Sequence, residues 1–176
     1  MDLAGVKATI VEIPDYPSPG VIFKDVTPLF ADANAFKFVI DAISNYFKGD
    51  DITAVVGIEA RGFILGGALA QKMSVGFVPV RKVGKLPRET YRSDYQLEYG
   101  SDSIEIHTDS LSSNDHVLIV DDVLATGGTV GATIDVIEQT GATVSGFSVL
   151  LNLAFLGGYD KIKNNHPNVR IQSVLD

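Results

Sequence analysis

A chain of 176 residues and 18.8 kDa, 45% apolar and 20% charged, is long enough for one domain with a full core and too apolar for a disordered chain. It contains no Cys, which excludes a disulfide framework, a thiolate-ligated metal or iron–sulfur site and a catalytic thiol, and fits a reducing, cytoplasmic setting. With 14 Lys and Arg against 22 Asp and Glu the net charge is −8, which argues against nucleic acid or an anionic membrane as partner.

Leu3, Val6 and Ile10 recur at helical spacing, and Pro14, Pro17, Pro19 and Gly20 then make a rigid turn. Met1 to Ile10 carries no extended apolar region, so no signal peptide is expected there. Val21-Ile22-Phe23 is a short extended run. A helix is predicted from Asn34 to Lys48, with Phe36, Val39, Ile40, Ile43 and Phe47 on one face and Asp32 or Asn34 as its cap. Ala54 to Ile58 reads as a strand buried on both faces, followed by Arg61, Gly62 and a helix to about Lys72. Phe77 to Val80 is the next strand.

From Arg81 to Gly100 periodicity disappears, and so long an aperiodic stretch inside a compact domain suggests function. Its first part is also basic: Arg81, Lys82, Lys85, Arg88 and Arg92 stand against the single acid Glu89. This is either a solvated loop or a patch for an anionic small molecule. Ser103 to His107 alternates like a strand at a sheet edge. Val117 to Val120 is another buried strand, Thr129 to about Thr140 a helix ended by Gly141, and Thr143 to Leu151 a further strand. A short helix from Gly158 to Asn164 and a strand from Val169 to Val174 complete the chain. No stretch reaches the ~20 apolar residues of a membrane span. Strands alternating with helices predict an α/β fold, a mainly parallel sheet flanked by helices on both faces, with ligands beyond the carboxyl ends of the strands.

One such strand end carries Asp121-Asp122-Val123-Leu124-Ala125-Thr126-Gly127-Gly128-Thr129 and then a helix. The glycines admit close backbone approach, and the helix start offers unpaired N–H groups and a positive dipole end to a phosphate. Thr126 and Thr129 add hydroxyl donors. Asp121 and Asp122 suit the vicinal hydroxyls of a sugar better than they suit phosphate itself. Together these describe a ribose 5-phosphate site. A Walker loop and a dinucleotide-binding G-x-G-x-x-G are both absent, and His107, His116 and His166 show no metal-ligand spacing.

The run Val117 to Thr129 resembles the phosphoribosyl-diphosphate motif of the type I phosphoribosyltransferases. Pro14 to Asp25 is similar to the N-terminal segment of the adenine-specific members. Gly57 to Phe63 resembles their diphosphate loop, and Arg81 to Pro87 and Leu97 to Gly100 resemble the two ends of their mobile catalytic loop. The resemblance implies one phosphoribosyltransferase domain over 1–176, with a base-recognition hood over about 1–33 and a mobile loop over 81–102. It implies transfer of ribose 5-phosphate from phosphoribosyl diphosphate to N9 of adenine, with Mg²⁺ bound mainly through the substrate and no metal cage of the protein's own. Asp121, Asp122, Ala125, Thr126, Gly127, Gly128 and Thr129 would bind the phosphoribosyl part, and Arg61, Arg81, Lys82 and Lys85 the diphosphate. Glu98 would accept the adenine proton, with Arg61 as the second catalytic residue. Ile22, Phe23, Lys24 and Leu153 would recognise adenine. A homodimer is implied, because the family residue matching Arg81 can reach a partner's site. The Glu59–Ala60 bond falls where the family often has a cis peptide, and Asn152 stands where many members carry an acid. The alternatives are a transferase for another purine base and a non-enzymatic regulator that senses phosphoribosyl diphosphate.

Overall fold

A computed structural model describes residues 1–96 and 101–176. In chain order the elements are α1 (Leu3–Lys7), β1 (Val11–Pro14), β2 (Ile22–Asp25), α2 (Thr27–Ala31), α3 (Ala33–Tyr46), β3 (Ala54–Ile58), α4 (Gly62–Met73), β4 (Gly76–Lys82), β5 (Thr90–Gln96), β6 (Ser101–His107), β7 (His116–Leu124), α5 (Gly128–Gln139), β8 (Thr143–Asn152), α6 (Gly158–Asn165) and β9 (Arg170–Ser173). Among the described residues the main sheet has seven strands in the order β5-β6-β4-β3-β7-β8-β9. Strands β4, β3, β7, β8 and β9 are mutually parallel, and β6 and β5 add to the β4 side antiparallel.

The parallel strands are apolar throughout because helices cover both their faces. Every residue of β3 is buried. On one face Val55, Leu118, Val120 and Leu150 pack with Ile43 and Phe47 of the α3 region and with Leu65 and Leu69 of α4. On the other, Val56, Ile119, Phe147 and Val149 pack with Ile134 and Ile137 of α5 and Ile162 of α6. Asp32, not Asn34, caps α3: its Oδ1 accepts the N–H of Asn34 at 2.8 Å and of Ala35 at 3.0 Å.

The aperiodic reading of 81–100 needs correction. Thr90–Gln96 is a strand, so Ser103–His107 lies inside the sheet and β5 forms its edge. The edge reading of Ser103–His107 failed because β6 is covered on both sides. Ile104 and Ile106 are buried, but so are Glu105 and His107. The β5–β6 pair also lies against α5, where Ser93 Oγ donates to Asp135 Oδ2 at 3.1 Å.

The N-terminal segment forms a separate two-stranded antiparallel sheet, β1–β2, in which Glu12 faces Lys24 and forms an ion pair with it. The segment is anchored through Val6, Val26 and Leu29, all buried against the α3–α4 side of the core.

Candidate active site

Three strand ends converge on the site. Strand β7 runs on through the acid pair to Leu124, so Asp121 and Asp122 sit within its last turn of sheet and not beyond it. The chain then turns through Ala125, Thr126 and Gly127 into α5. Gly127 has φ +76, which a residue with a Cβ rarely adopts, and among the described residues no side chain caps the helix start. The first amides of α5 therefore face a small pocket of about 70 Å³ lined by Asp121, Val123 to Thr129 and Val130. A helix start of this kind, positive and with free donors, is an anion site.

Gly158 supports this loop from α6. A Cβ at Gly158 would come within 2.1 Å of the Ala125 carbonyl oxygen and 2.8 Å of the Gly127 nitrogen. The sequence reading missed it, since a helix-starting glycine 33 residues after Ala125 gives no local sign of what it touches.

Strand β3 ends at the Glu59–Ala60 peptide, which is cis, followed by Arg61 at the start of α4. Arg61 spans the site. Its Nε donates to Asp122, whose side chain is only 6% exposed, and its guanidinium lies 5.6 Å from the centre of the Phe23 ring. Phe23 meets Tyr16 edge-on at 5.2 Å. Arg61 thus links the acid pair to the N-terminal hairpin through one ion pair and one cation–π contact. Asp122 is partnered by Arg61, and Asp121 Oδ1 accepts the Asp122 N–H at 2.9 Å. Burial, and next the Asp122 carboxylate, push Asp121 well above the usual carboxylate range.

The basic segment is not the free positive patch that its composition suggests. Each of its five cations has an acid. Arg81 Nε lies 3.2 Å from Glu59 Oε2 and Lys85 Nζ 2.5 Å from Glu59 Oε1. Lys82 Nζ lies 2.8 Å from Asp102 and Arg92 Nε 2.9 Å from Asp94, and Arg88 pairs with Asp109. All these acids but Asp94 lie outside the segment's own strand, so the chain sequence hides them. Burial opposes the Glu59 charge, but hydrogen bonds from Lys85, the Lys82 amide and Arg81 outweigh it and hold the carboxyl below its usual range. The Asp102 hydrogen bond in turn raises Lys82.

Of the residues expected to meet adenine, Ile22 is 58% exposed on β2, while Phe23 and Lys24 are half-buried. Leu153 follows β8, half-buried, its N–H donating to the Leu124 carbonyl at 2.8 Å. Beside it the Oδ1 of Asn152 is buried with no partner among the described residues. Glu98, with Leu97, Tyr99 and Gly100, lies outside the described residues. The structure brings together Asp121, Asp122, Arg61 and Phe23, and separately gathers Arg81, Lys82 and Lys85 around Glu59.

The phosphoribosyl transferase domain model matches residues 26–171. The adenine phosphoribosyltransferase of Salinispora arenicola is 53% identical over 157 residues, covering 89% of this chain and 84% of the relative. That of Francisella philomiragia is 48% identical over 174 residues, covering 98% and 99%. Among solved structures, the adenine phosphoribosyltransferase of Thermoanaerobacter pseudethanolicus superposes with TM-score 0.93 at 44% identity, covering 98% of each chain. The enzyme of Saccharomyces cerevisiae, complexed with an imino-altritol bisphosphate and adenine, superposes with TM-score 0.91 at 37% identity, covering 98% of each. A chain with this fold, an uncapped helix start behind an acid pair and relatives of this closeness belongs to the phosphoribosyltransferase family, among the adenine phosphoribosyltransferases.

Proposed function

We propose that the protein transfers ribose 5-phosphate from phosphoribosyl diphosphate to N9 of adenine, releasing AMP and diphosphate. The observation that carries this reading is the junction of β7 and α5, where an acid pair near the strand end is followed a few residues on by a helix start with no side-chain cap among the described residues, an arrangement that suits sugar hydroxyls and then a phosphate. In it Ala125 to Thr129 hold the 5-phosphate, and Asp121 takes the ribose hydroxyls. Asp122 orients Arg61, which faces the departing diphosphate together with Arg81, Lys82 and Lys85.

The anomeric carbon gains positive character as its bond to diphosphate lengthens, as in glycosyl transfer generally. Neighbouring carboxylates stabilise that charge, and the arginine and lysine side chains stabilise the opposite charge growing on the leaving group. Asp121 also fits a cation: a carboxyl raised by burial and by Asp122 regains its charge when positive charge arrives beside it. A hydrated Mg²⁺ held mainly by the substrate would offset diphosphate charge there. Adenine would rest against Phe23 and Ile22, with main-chain groups near Ile22 and Lys24 reading its edge and Leu153 opposite. Glu98 would accept the N9 proton, and the expected mobile loop 81–102 is, among its described residues, mostly sheet, with Arg81 and Lys82 in β4, Thr90–Gln96 in β5 and Ser101 and Asp102 in β6.

The reading extends to a cytoplasmic homodimer. Exposed apolar side chains of Ile64 on α4, Phe77 on β4 and Val83 flank the strand that carries Arg81, and a second copy would cover them. Light scattering in solution should then give twice the mass of one chain.

The decisive experiment offers adenine, guanine and hypoxanthine separately with phosphoribosyl diphosphate and Mg²⁺, and follows nucleotide and diphosphate. Adenine should give AMP. The other bases should react slower by orders of magnitude, because polar groups placed for one purine edge stay unpaired against another. Equal turnover with guanine overturns the assignment of the base. Binding of phosphoribosyl diphosphate without turnover of any base favours the regulator.

A further inference from the structure

Glu105 is a buried acid that the reaction as described does not use. It lies on β6 at 5% exposure, facing away from solvent although its sequence neighbours alternate as if one face were wet. Its Oε1 accepts three consecutive main-chain N–H groups, from Gly84 at 3.1 Å, Lys85 at 3.2 Å and Leu86 at 3.0 Å. Its Oε2 accepts from Thr90 Oγ1 at 3.2 Å. Among the described residues no lysine or arginine pairs with it. Successive amides converging on one oxygen can carry a buried negative charge without a cation.

The turn held in this way is the one that presents Lys85. The ammonium of Lys85 reaches Glu59, and its carbonyl oxygen accepts from Arg81 Nη1 at 3.4 Å. Gly84, with φ +85, lets the main chain curl around the carboxylate. So Glu105 holds the main chain of Lys85 from the sheet side, and Glu59 holds its side chain at the end of β3.

We propose that Glu105 is a positioning residue for diphosphate: by clasping the amides of 84–86 it sets where Lys85 and Arg81 meet the leaving group. The proposal rests on the reading of Lys85 as a diphosphate ligand. A glutamine at 105 keeps the volume but loses the charge, and it must turn either a weaker oxygen or an NH₂ group toward three donors. The turn then loosens while the phosphate cradle and the adenine side are untouched.

The test compares wild type, Glu105→Gln, Lys85→Ala and the double variant in steady-state kinetics with saturating Mg²⁺. Glu105→Gln should raise KM for phosphoribosyl diphosphate about tenfold, with KM for adenine changed less than about twofold. The double variant should lose less than the two single losses combined, since both changes act chiefly through the Lys85 ammonium. Additive losses, or equal rises in both KM values, overturn the positioning role. If Lys85→Ala raises KM for phosphoribosyl diphosphate and Glu105→Gln does not, only the positioning role fails. If Lys85→Ala itself has no effect, the reading of Lys85 fails and the proposal falls with it. Should Glu105→Gln not fold, amide hydrogen exchange of the wild type decides. The amides of 84, 85 and 86 should be protected in the ligand-free enzyme, and exchange at unprotected rates refutes the clasp.

Discussion

The phosphate cradle and the basic segment are both rich in signal, yet they differ in how the signal is stored. The cradle keeps its acids, glycines, hydroxyls and helix start within nine consecutive residues, Asp121 to Thr129. Hydrogen bonding and dipole at a helix start are set by local chain geometry, so reading the residues in order reads the site. The basic segment shows five cations in sequence, but folding pairs them with Glu59, Asp94, Asp102 and Asp109. Net charge along a chain is a local count, whereas electrostatic field is a property of three-dimensional neighbours. Composition therefore overstated the patch, and the useful distinction became which pairs stand at the strand ends and which stand on the surface.

That contrast can be broken at several points. The largest effect is expected at Glu98 in the 81–102 segment. Glu98→Gln should lower kcat by about 10² to 10⁴ and leave KM for phosphoribosyl diphosphate nearly unchanged, as for a positioned proton acceptor. If the Gln variant keeps near-normal kcat and Glu98→Ala does not, Glu98 holds the closed segment by hydrogen bonds, and its assignment as base is wrong.

In the cradle, Asp121→Asn should reduce kcat/KM for phosphoribosyl diphosphate roughly 10- to 100-fold, the usual scale for a hydrogen bond to a charged group. The same change should stabilise the ligand-free protein. Because the folded state raises the Asp121 carboxyl, wild type binds more protons folded than unfolded across this range. Its stability is then full below the ordinary carboxylate pKa of about 4 and falls as pH rises through the raised value. Thermal melts of the two proteins should coincide near pH 4 and diverge in favour of Asp121→Asn at higher pH. A wild type that melts higher than the variant at neutral pH contradicts this.

Gly158→Ala tests whether the cradle is as self-contained as its sequence looks. The added methyl meets the Ala125 carbonyl, so the loop must shift. A cost of about 1–3 kcal/mol is the common scale for overpacking, and KM for phosphoribosyl diphosphate should rise about tenfold while KM for adenine stays put. An unchanged KM with normal stability would mean that α6 yields and that the loop does not depend on it.

The smallest effect belongs to Arg88→Ala. The side chains of Arg88 and Asp109 are 57% and 62% exposed, and an exposed pair contributes ~0–1 kcal/mol. KM for phosphoribosyl diphosphate should change less than about twofold. A loss equal to that of Lys85→Ala would restore the view of the segment as one undivided positive patch.

Particular residues show how far the chain could be read unfolded. The α3 stripe of Val39, Ile40 and Ile43, the bounds of β3 and the start of α5 were all legible, because a period of 3.6 or a continuous apolar run reports burial directly. Strand β5 was not. It puts its only charges, Arg92 and Asp94, on one exposed face and Tyr91, Ser93 and Tyr95 on the other, and it forms a strand because β6 offers pairing and α5 offers a surface. Glu105 was misread for a related reason: alternation marks a solvent face only where no turn returns to cover it, and the turn at 84–86 does return.

Composition and period alone settle the α/β class, and the run Asp121 to Thr129 alone points to the proposed phosphate end of the site, since each depends on interactions within a few residues. Only the folded chain decides that Arg61 joins Asp122 to Phe23 across 61 and 38 residues of sequence, that Glu59 gathers Arg81 and Lys85, and that Gly158 must lack a Cβ for Ala125 to keep its place. Those contacts are specified by the register of parallel strands and the packing of helices across the sheet, and no local window of the sequence contains them.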